Sequence, residues 1–302
     1  MNINSIDYYI PDQKVPIKEI LDKYEDKDLP KELGDRAEVQ FFFERFIGLS
    51  EVRINNDLDE TGFIRKSFQS LNLDLSEIKL IIDFSCSPFF NFKNMGHYIK
   101  TEYSLINADV LNISGALCAN LDIALVYASK LYQRHTNNKI LFCGGTKIPD
   151  PKRLAGSFSI MGDSFGYLIT DFIDDQFELI DFEITTVSGL YKEQESENQS
   201  IIMTDMHLKC LSVLFNRHNK DNIKQILIPN GFPLLITQSL QQVGFDKEKI
   251  YIKNITKGHF AYMDSLINLK DFIMENPDFK GEILVIGISY SGTIVASIYN
   301  IK

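Results

Sequence analysis

From residue 78 onward, short apolar β-branched runs alternate with helical patterns, and the series is read twice. The first pass runs from a strand in IKLIIDFS through a helix at 93–102 to a strand in ADVLNIS. A longer helix follows from Ala119 to about Arg134, then strands in KILFCGG and GYLIT. The second pass has strands in QILIPN and IYIKNI, helices at 232–243 and 262–274, and strands in EILVIGIS and TIVASIY. Each pass is βαβαββ, preceded by a helix near 62–72 or 203–216. Strands that alternate with helices predict mainly parallel sheets with helices on their faces. The expectation is an α/β chain of two matching halves, 1–172 and 173–302, with YKEQESENQS (191–200) as a solvated loop. The charged segment 20–35 reads as a surface helix and loop.

Charge narrows the partners. Lys and Arg number 31 against 41 Asp and Glu, a net −10. An acidic chain without a basic run does not suit nucleic acid or an anionic membrane. No apolar stretch reaches the roughly 18 residues of a membrane span. MNINSIDYYIPDQ lacks a charged-then-apolar signal pattern, so a cytoplasmic location is expected. Cys86, Cys118, Cys143 and Cys210 lie far apart with no CxxC pair, which argues against disulfides and structural zinc. His97, His135, His207 and His218 read as surface residues without metal-ligand spacing.

Open α/β sheets place chemistry at the carboxyl ends of strands, where the next helix begins. Three junctions stand out. NISGALCAN puts Cys118 at a helix start, where unpaired backbone N–H groups favour the nucleophilic thiolate. The apolar LDIALVYASKLY behind it predicts a rigid, buried helix that aims the sulfur. KNITKGHFAYMDS places His259, a base suited to neutral pH, at the matching junction of the second half. IPNGFP offers Asn230, by itself a turn residue. In VIGISYSG, Gly287 lets backbone approach a ligand and present an N–H to an oxyanion.

Taken together, these segments resemble the β-ketoacyl-acyl-carrier-protein synthase III branch of the thiolase fold. The likeness covers nearly the whole chain: ERFIGLSEVRI with Asp59-Glu60-Thr61, CSPFFNF, NISGALCAN, FCGGTK, GDSFGYLI, LIPNGFPLLI, NITKGHF and GISYSG follow the family order. The resemblance implies duplicated halves in five αβαβα layers, an acyl-enzyme on Cys118, and an oxyanion hole from the Cys118 and Gly287 backbone. It implies acyl-coenzyme A or an acyl carrier protein as donor, its phosphopantetheine arm entering by a tunnel, and neither a tightly bound cofactor nor a metal. A homodimer is implied, with a heterodimer as variant. SPFFNF (87–92) would lie near the two-fold axis, and Phe89, Phe90 and Phe92 would border the acyl pocket.

The departures shape the function. Decarboxylating members carry His at the position of Asn230 and Asn at that of His259; here the types are exchanged. The leading expectation is therefore a Cys118–His259–Asn230 arrangement, with Asn230 orienting an imidazole that activates a hydroxyl or amine acceptor. Asp264 and Asp163 are spare carboxylates for that orienting role, Asp163 more simply closing a turn. The reading is an acyltransferase of specialised metabolism. The alternatives are a carbon–carbon bond-forming ketosynthase and a non-catalytic partner subunit.

Overall fold

A computed structural model describes all residues except 70–74, 86–94, 132–137, 174–175, 188–198 and 253–254. The first sheet holds β1 (Asn2–Tyr9), β2 (Ile78–Asp83), β3 (Asp109–Asn112), β4 (Lys139–Thr146) and β5 (Ser164–Asp171). The second holds β6 (Phe177–Thr186), β7 (Ile223–Leu227), β8 (Ile250–Tyr251), β9 (Gly281–Ser289) and β10 (Thr293–Ile301). The main helices are α1 (Glu60–Phe68), α2 (Met95–Glu102), α3 (Asn120–Leu131), α4 (Gln199–Phe215), α5 (Pro233–Gln242) and α6 (Asp264–Glu275). Strand order is β1-β5-β4-β2-β3 in one sheet and β6-β10-β9-β7-β8 in the other. These are the same permutation, so the duplication is one of topology as well as of element order.

Each sheet is half parallel rather than mainly so. The ladders β2/β3, β2/β4, β7/β8 and β7/β9 are parallel; β1/β5, β4/β5, β6/β10 and β9/β10 are antiparallel. The difference comes from β1 and β6, strands that the twofold series does not contain. Both are edge strands whose residues are mostly only half-buried, so they lack the continuous apolar run of a strand covered on both faces.

Helices α3 and α6 lie between the sheets. Leu121 and Leu125 of α3 share one core with Leu266, Ile267 and Phe272 of α6, with Ile82, Phe142 and Leu168 below and Ile283, Val285 and Tyr299 above. Helices α1 and α2 cover the outer face of the first sheet. Helices α4 and α5 cover the second. The layers are α, β, α, β, α. Each large apolar side chain buried in this way contributes about 1.5–3 kcal/mol relative to exposure, so the two central helices are held from both sides. His207 belongs to this interior rather than to the surface: it is fully buried on the α4 stripe with Met203, Met206, Cys210 and Leu214, spaced to point one way.

Residues 14–54 form a small cap with its own core, in which Val52 and Ile54 meet Ile160. Cys118, Cys143 and Cys210 are buried free thiols. Among the described residues, no helix is long and apolar enough to cross a membrane. Cys86, His135, the 191–200 loop and Phe89, Phe90 and Phe92 lie outside the described residues, wholly or nearly so.

Candidate active site

The two central helices start in the same way. Before α3, Leu117 takes a left-handed φ of 44° and the chain makes a 3-10 turn over Leu117–Ala119. Before α6, Ala261 takes φ 51° and the turn spans Ala261–Met263. Left-handed backbone costs a non-glycine residue about 1–3 kcal/mol and persists only where the surroundings enforce it. The enforcing side chains sit at equivalent places. Asn120 opens α3, and its Oδ1 accepts the Ala116 N–H at 3.0 Å. Asp264 opens α6, and its Oδ1 accepts the Phe260 N–H at 2.8 Å. Asn120 also donates from Nδ2 to Phe84 O at 3.1 Å, tying the loop to the end of β2.

Cys118 lies inside the first of these turns and faces the second. Its Sγ is 3.4 Å from His259 Nε2. On the other side of the ring, His259 Nδ1 is 2.6 Å from Asp264 Oδ2. The His259 backbone is held by the segment at 160–162 of the first half: its N–H donates to Ile160 O, and its carbonyl accepts the Gly162 N–H. Gly231 packs on the ring, where any Cβ would come within 2.8 Å of the imidazole. His259 and Asp264 are each 1% exposed. Burial alone would strip the proton from His259. The Asp264 carboxylate, then the Cys118 sulfur, outweigh burial and raise its pKa to about 10. The resting arrangement is thus imidazolium beside sulfur, with a carboxylate behind.

Asn230 is close by but does other work, which corrects its expected orienting role. Its Nδ2 donates to Gly258 O at 3.0 Å, and its Oδ1 accepts from Asn268 Nδ2 at 3.3 Å. Only its backbone joins the cluster: the Asn230 and Gly231 N–H groups donate to Asp264 Oδ2 at 2.7 and 3.1 Å. A carboxylate gathering these donors is a stronger, charge-assisted partner for Nδ1 than an amide. Of the two spare carboxylates, Asp264 therefore sits on the ring. Asp163 is buried elsewhere, accepting Asn55 and Ile148 N–H groups and pairing with Arg153 at 2.9 Å.

Gly287 lies within β9, opposite Val295 of β10. A Cβ there would fall 2.2 Å from Asp122 Oδ2, so the Asp122 carboxyl requires glycine at 287. Sequence reasoning singles out neither Asp122 nor Asn120, although both polar residues interrupt the apolar run after Cys118. It also misses an aromatic wall. Phe232, at φ 62°, meets His259 edge-on at 6.5 Å and packs with Phe158 and Tyr290. Burial first, then the charges of Cys118 and Glu32, push the Tyr290 hydroxyl well above its ordinary value. A surface cleft of about 510 Å³ between Glu32 and Phe46 contains neither Cys118 nor His259.

No protein-family model matches the sequence, and no curated protein does. Solved structures match over the whole chain. The acyltransferase ChlB3 is similar at TM-score 0.78 and 11% identity, covering 99% of this chain and 97% of its own. The 3-oxoacyl-[acyl-carrier-protein] synthase III of Aquifex aeolicus is similar at 0.73 and 16% identity, covering 99% of both. Xanthomonas campestris OleA, as a C143S variant with lauric acid and lauroyl-CoA bound, is similar at 0.74 and 14% identity, covering 99% and 98%. The chain has the thiolase fold shared by these structures.

Proposed function

We propose that the chain is an acyltransferase that carries an acyl group on Cys118 from a coenzyme A or carrier-protein thioester to a hydroxyl or amine. The observation that carries this reading is the Cys118–His259–Asp264 line, with the Asn230 amide turned away into Gly258 and Asn268. Holding an enolate for carbon–carbon bond formation takes two side-chain donors facing the sulfur; here one faces it. A single proton site, His259, serves the whole cycle. Cys118 thiolate attacks the thioester carbonyl, with the Cys118 N–H and that of Gly287 as oxyanion donors. The donor sulfur leaves with the proton of His259. The acylated sulfur no longer carries charge, so the neutral imidazole becomes a base for the acceptor. The acceptor heteroatom gives its proton to His259 and bonds to the acyl carbon as Cys118 thiolate departs. Asp264 keeps the ring aimed throughout.

Phe158, Phe232 and Tyr290 would form the apolar wall against the acyl chain. The chain would work as a homodimer. Its β3 edge carries exposed Leu111, and Ile106, Tyr127 and Leu131 are exposed as well, apolar surface suited to a second copy.

Intact-mass analysis after incubation with an acyl-CoA series tests the reading. An adduct on wild type, absent from Cys118→Ala and discharged by alcohols or amines, supports it. Decarboxylation of malonyl-CoA would overturn it in favour of condensation. No adduct with any donor would leave a partner subunit.

A further inference from the structure

Asp122 stands one turn beyond Cys118 on α3, 1% exposed in a helix whose buried face is otherwise apolar after Asn120. Its Oδ2 accepts the Ser265 Oγ–H at 2.9 Å, a bond between α3 of the first half and α6 of the second. Ser265 directly follows Asp264. The same oxygen lies against Gly287 of β9, so the carboxyl is confined by both elements. Its Oδ1 has no hydrogen-bond partner among the described residues. A buried carboxyl left half-satisfied is destabilising, so its presence needs a reason. Nothing in the acyl-transfer cycle uses it as an acid or base.

We propose that Asp122 is a positioning residue: through Ser265 it locks α3, which follows the Cys118 turn, to the helix that opens with Asp264, and so sets the sulfur–imidazole separation. This rests on the reading of Cys118, His259 and Asp264 as the reacting line. The geometry favours a tie at this point. Asn120 anchors the Cys118 turn to its own sheet through Phe84 O. That anchor does not reach the second half. His259 of that half is tied back to the first by its backbone bonds with Ile160 and Gly162. The bond from Asp122 to Ser265 adds a direct tie from α3 to α6, within one residue of Asp264.

The charges around Asp122 agree with a neutral tie. From α6 it faces Ser265 and, further off, the Asp264 carboxylate; from β9 it faces Gly287; from β10, Tyr299. Burial first, offset in part by Ser265 and reinforced by Asp264, raises its pKa to about 7. A protonated Asp122 still accepts from Ser265 through its carbonyl oxygen, though more weakly than the ionised form. It adds no second negative charge beside Asp264, which would bind the His259 proton too tightly for the later base step.

The test is the rate of Cys118 alkylation by iodoacetamide across pH 5–10, read by intact mass, on folded dimer or monomer as purified. Asp122→Leu and Ser265→Ala should each slow alkylation about tenfold near pH 6, the worth of one buried hydrogen bond, and displace the rate–pH curve. Asp122→Asn keeps an acceptor of the same shape and should recover most of that loss. The double variant Asp122→Leu/Ser265→Ala should lose no more than either alone. Curves that coincide with wild type for folded Ser265→Ala, or losses that multiply in the double variant, overturn the proposal. Should Asp122→Leu fail to fold, Ser265→Ala and Asp122→Asn carry the test. Alkylation needs no acyl donor, so failure to find an acyl adduct bears on the proposed function and leaves this measurement intact.

Discussion

Replacing Asp264 by Asn keeps the shape of the side chain and removes the charge behind His259. In the native chain Oδ2 takes His259 Nδ1 at 2.6 Å with the Asn230 and Gly231 N–H groups, while Oδ1 takes Phe260 N–H. An amide has one oxygen, so either rotamer points an NH2 at a backbone donor. One buried N–H left unpaired costs about 1–3 kcal/mol. The larger effect is electrostatic. Raising His259 from 6.5 to about 10 corresponds to a native preference for imidazolium on the order of 5 kcal/mol, with Asp264 the foremost charge behind it. Without that carboxylate, burial favours the neutral ring, and the sulfur loses the cation that favours thiolate. Alkylation of Cys118 near pH 6 should fall at least about 100-fold, equivalent to roughly 2.7 kcal/mol, and approach wild type above pH 9. Stability carries the same signature. The proton affinity of His259 is higher folded than unfolded, so its contribution is complete below pH 6.5 and disappears as pH rises through about 10. The stability gap between wild type and Asp264→Asn, from urea titrations, should therefore be widest near pH 6. Superimposable alkylation curves for the two proteins would refute the charge argument.

Gly287→Ala places a Cβ against Asp122 Oδ2 and should destabilise by about 1–3 kcal/mol through overpacking; in denaturant titrations Asp122→Ala should relieve much of it. Arg153→Met strands Asp163, which is fully buried and pairs with Arg153 at 2.9 Å. It should cost about 3–5 kcal/mol, measured by thermal unfolding. Asn120→Leu removes both the acceptor for Ala116 N–H and the donor to Phe84 O, and should slow Cys118 alkylation more than it lowers the melting temperature.

The part of the fold legible in the sequence is the part written in continuous apolar runs. Buried strands such as IKLIIDFS and EILVIGIS announce themselves, and so do α3 and α6 between them. The edge strands β1 and β6 do not, because half-buried residues such as Ser5, Asp7 and Asp181 break the run that a reader follows. Cys118 and His259 are legible because both sit where a strand hands over to a buried helix. The partner of His259 is harder to read. Asn230 has the better position by order along the chain, but side-chain direction is set by the 3-10 turn at Ala261–Met263, which returns Asp264 beneath the ring. A left-handed alanine carries no mark in a sequence. His207 misleads for a related reason, since its polarity outweighs a helical spacing that places it among Met203, Cys210 and Leu214.

The duplication itself explains how a reacting line can be assembled between two halves. Asn120 and Asp264 hold the same place at the head of equivalent helices, and each accepts the backbone N–H four residues earlier. Both therefore act as caps of the turn before a central helix, accepting its first N–H group from inside the helix and so stabilising a strained entry. In the first half the cap is an amide and its spare donor goes to Phe84 O, so the turn is only held in place and Cys118 is left free to react. In the second half the cap is a carboxylate. Its spare oxygen accepts three N–H groups, and one belongs to the imidazole facing Cys118. A single difference, amide against carboxylate, converts one of two matching caps from a structural fixture into the charge that keeps His259 protonated. The substitution Asn120→Asp would instead set a second carboxylate at the Cys118 turn, opposing thiolate. The chemistry of this site thus depends on the two caps differing as much as on the two halves matching.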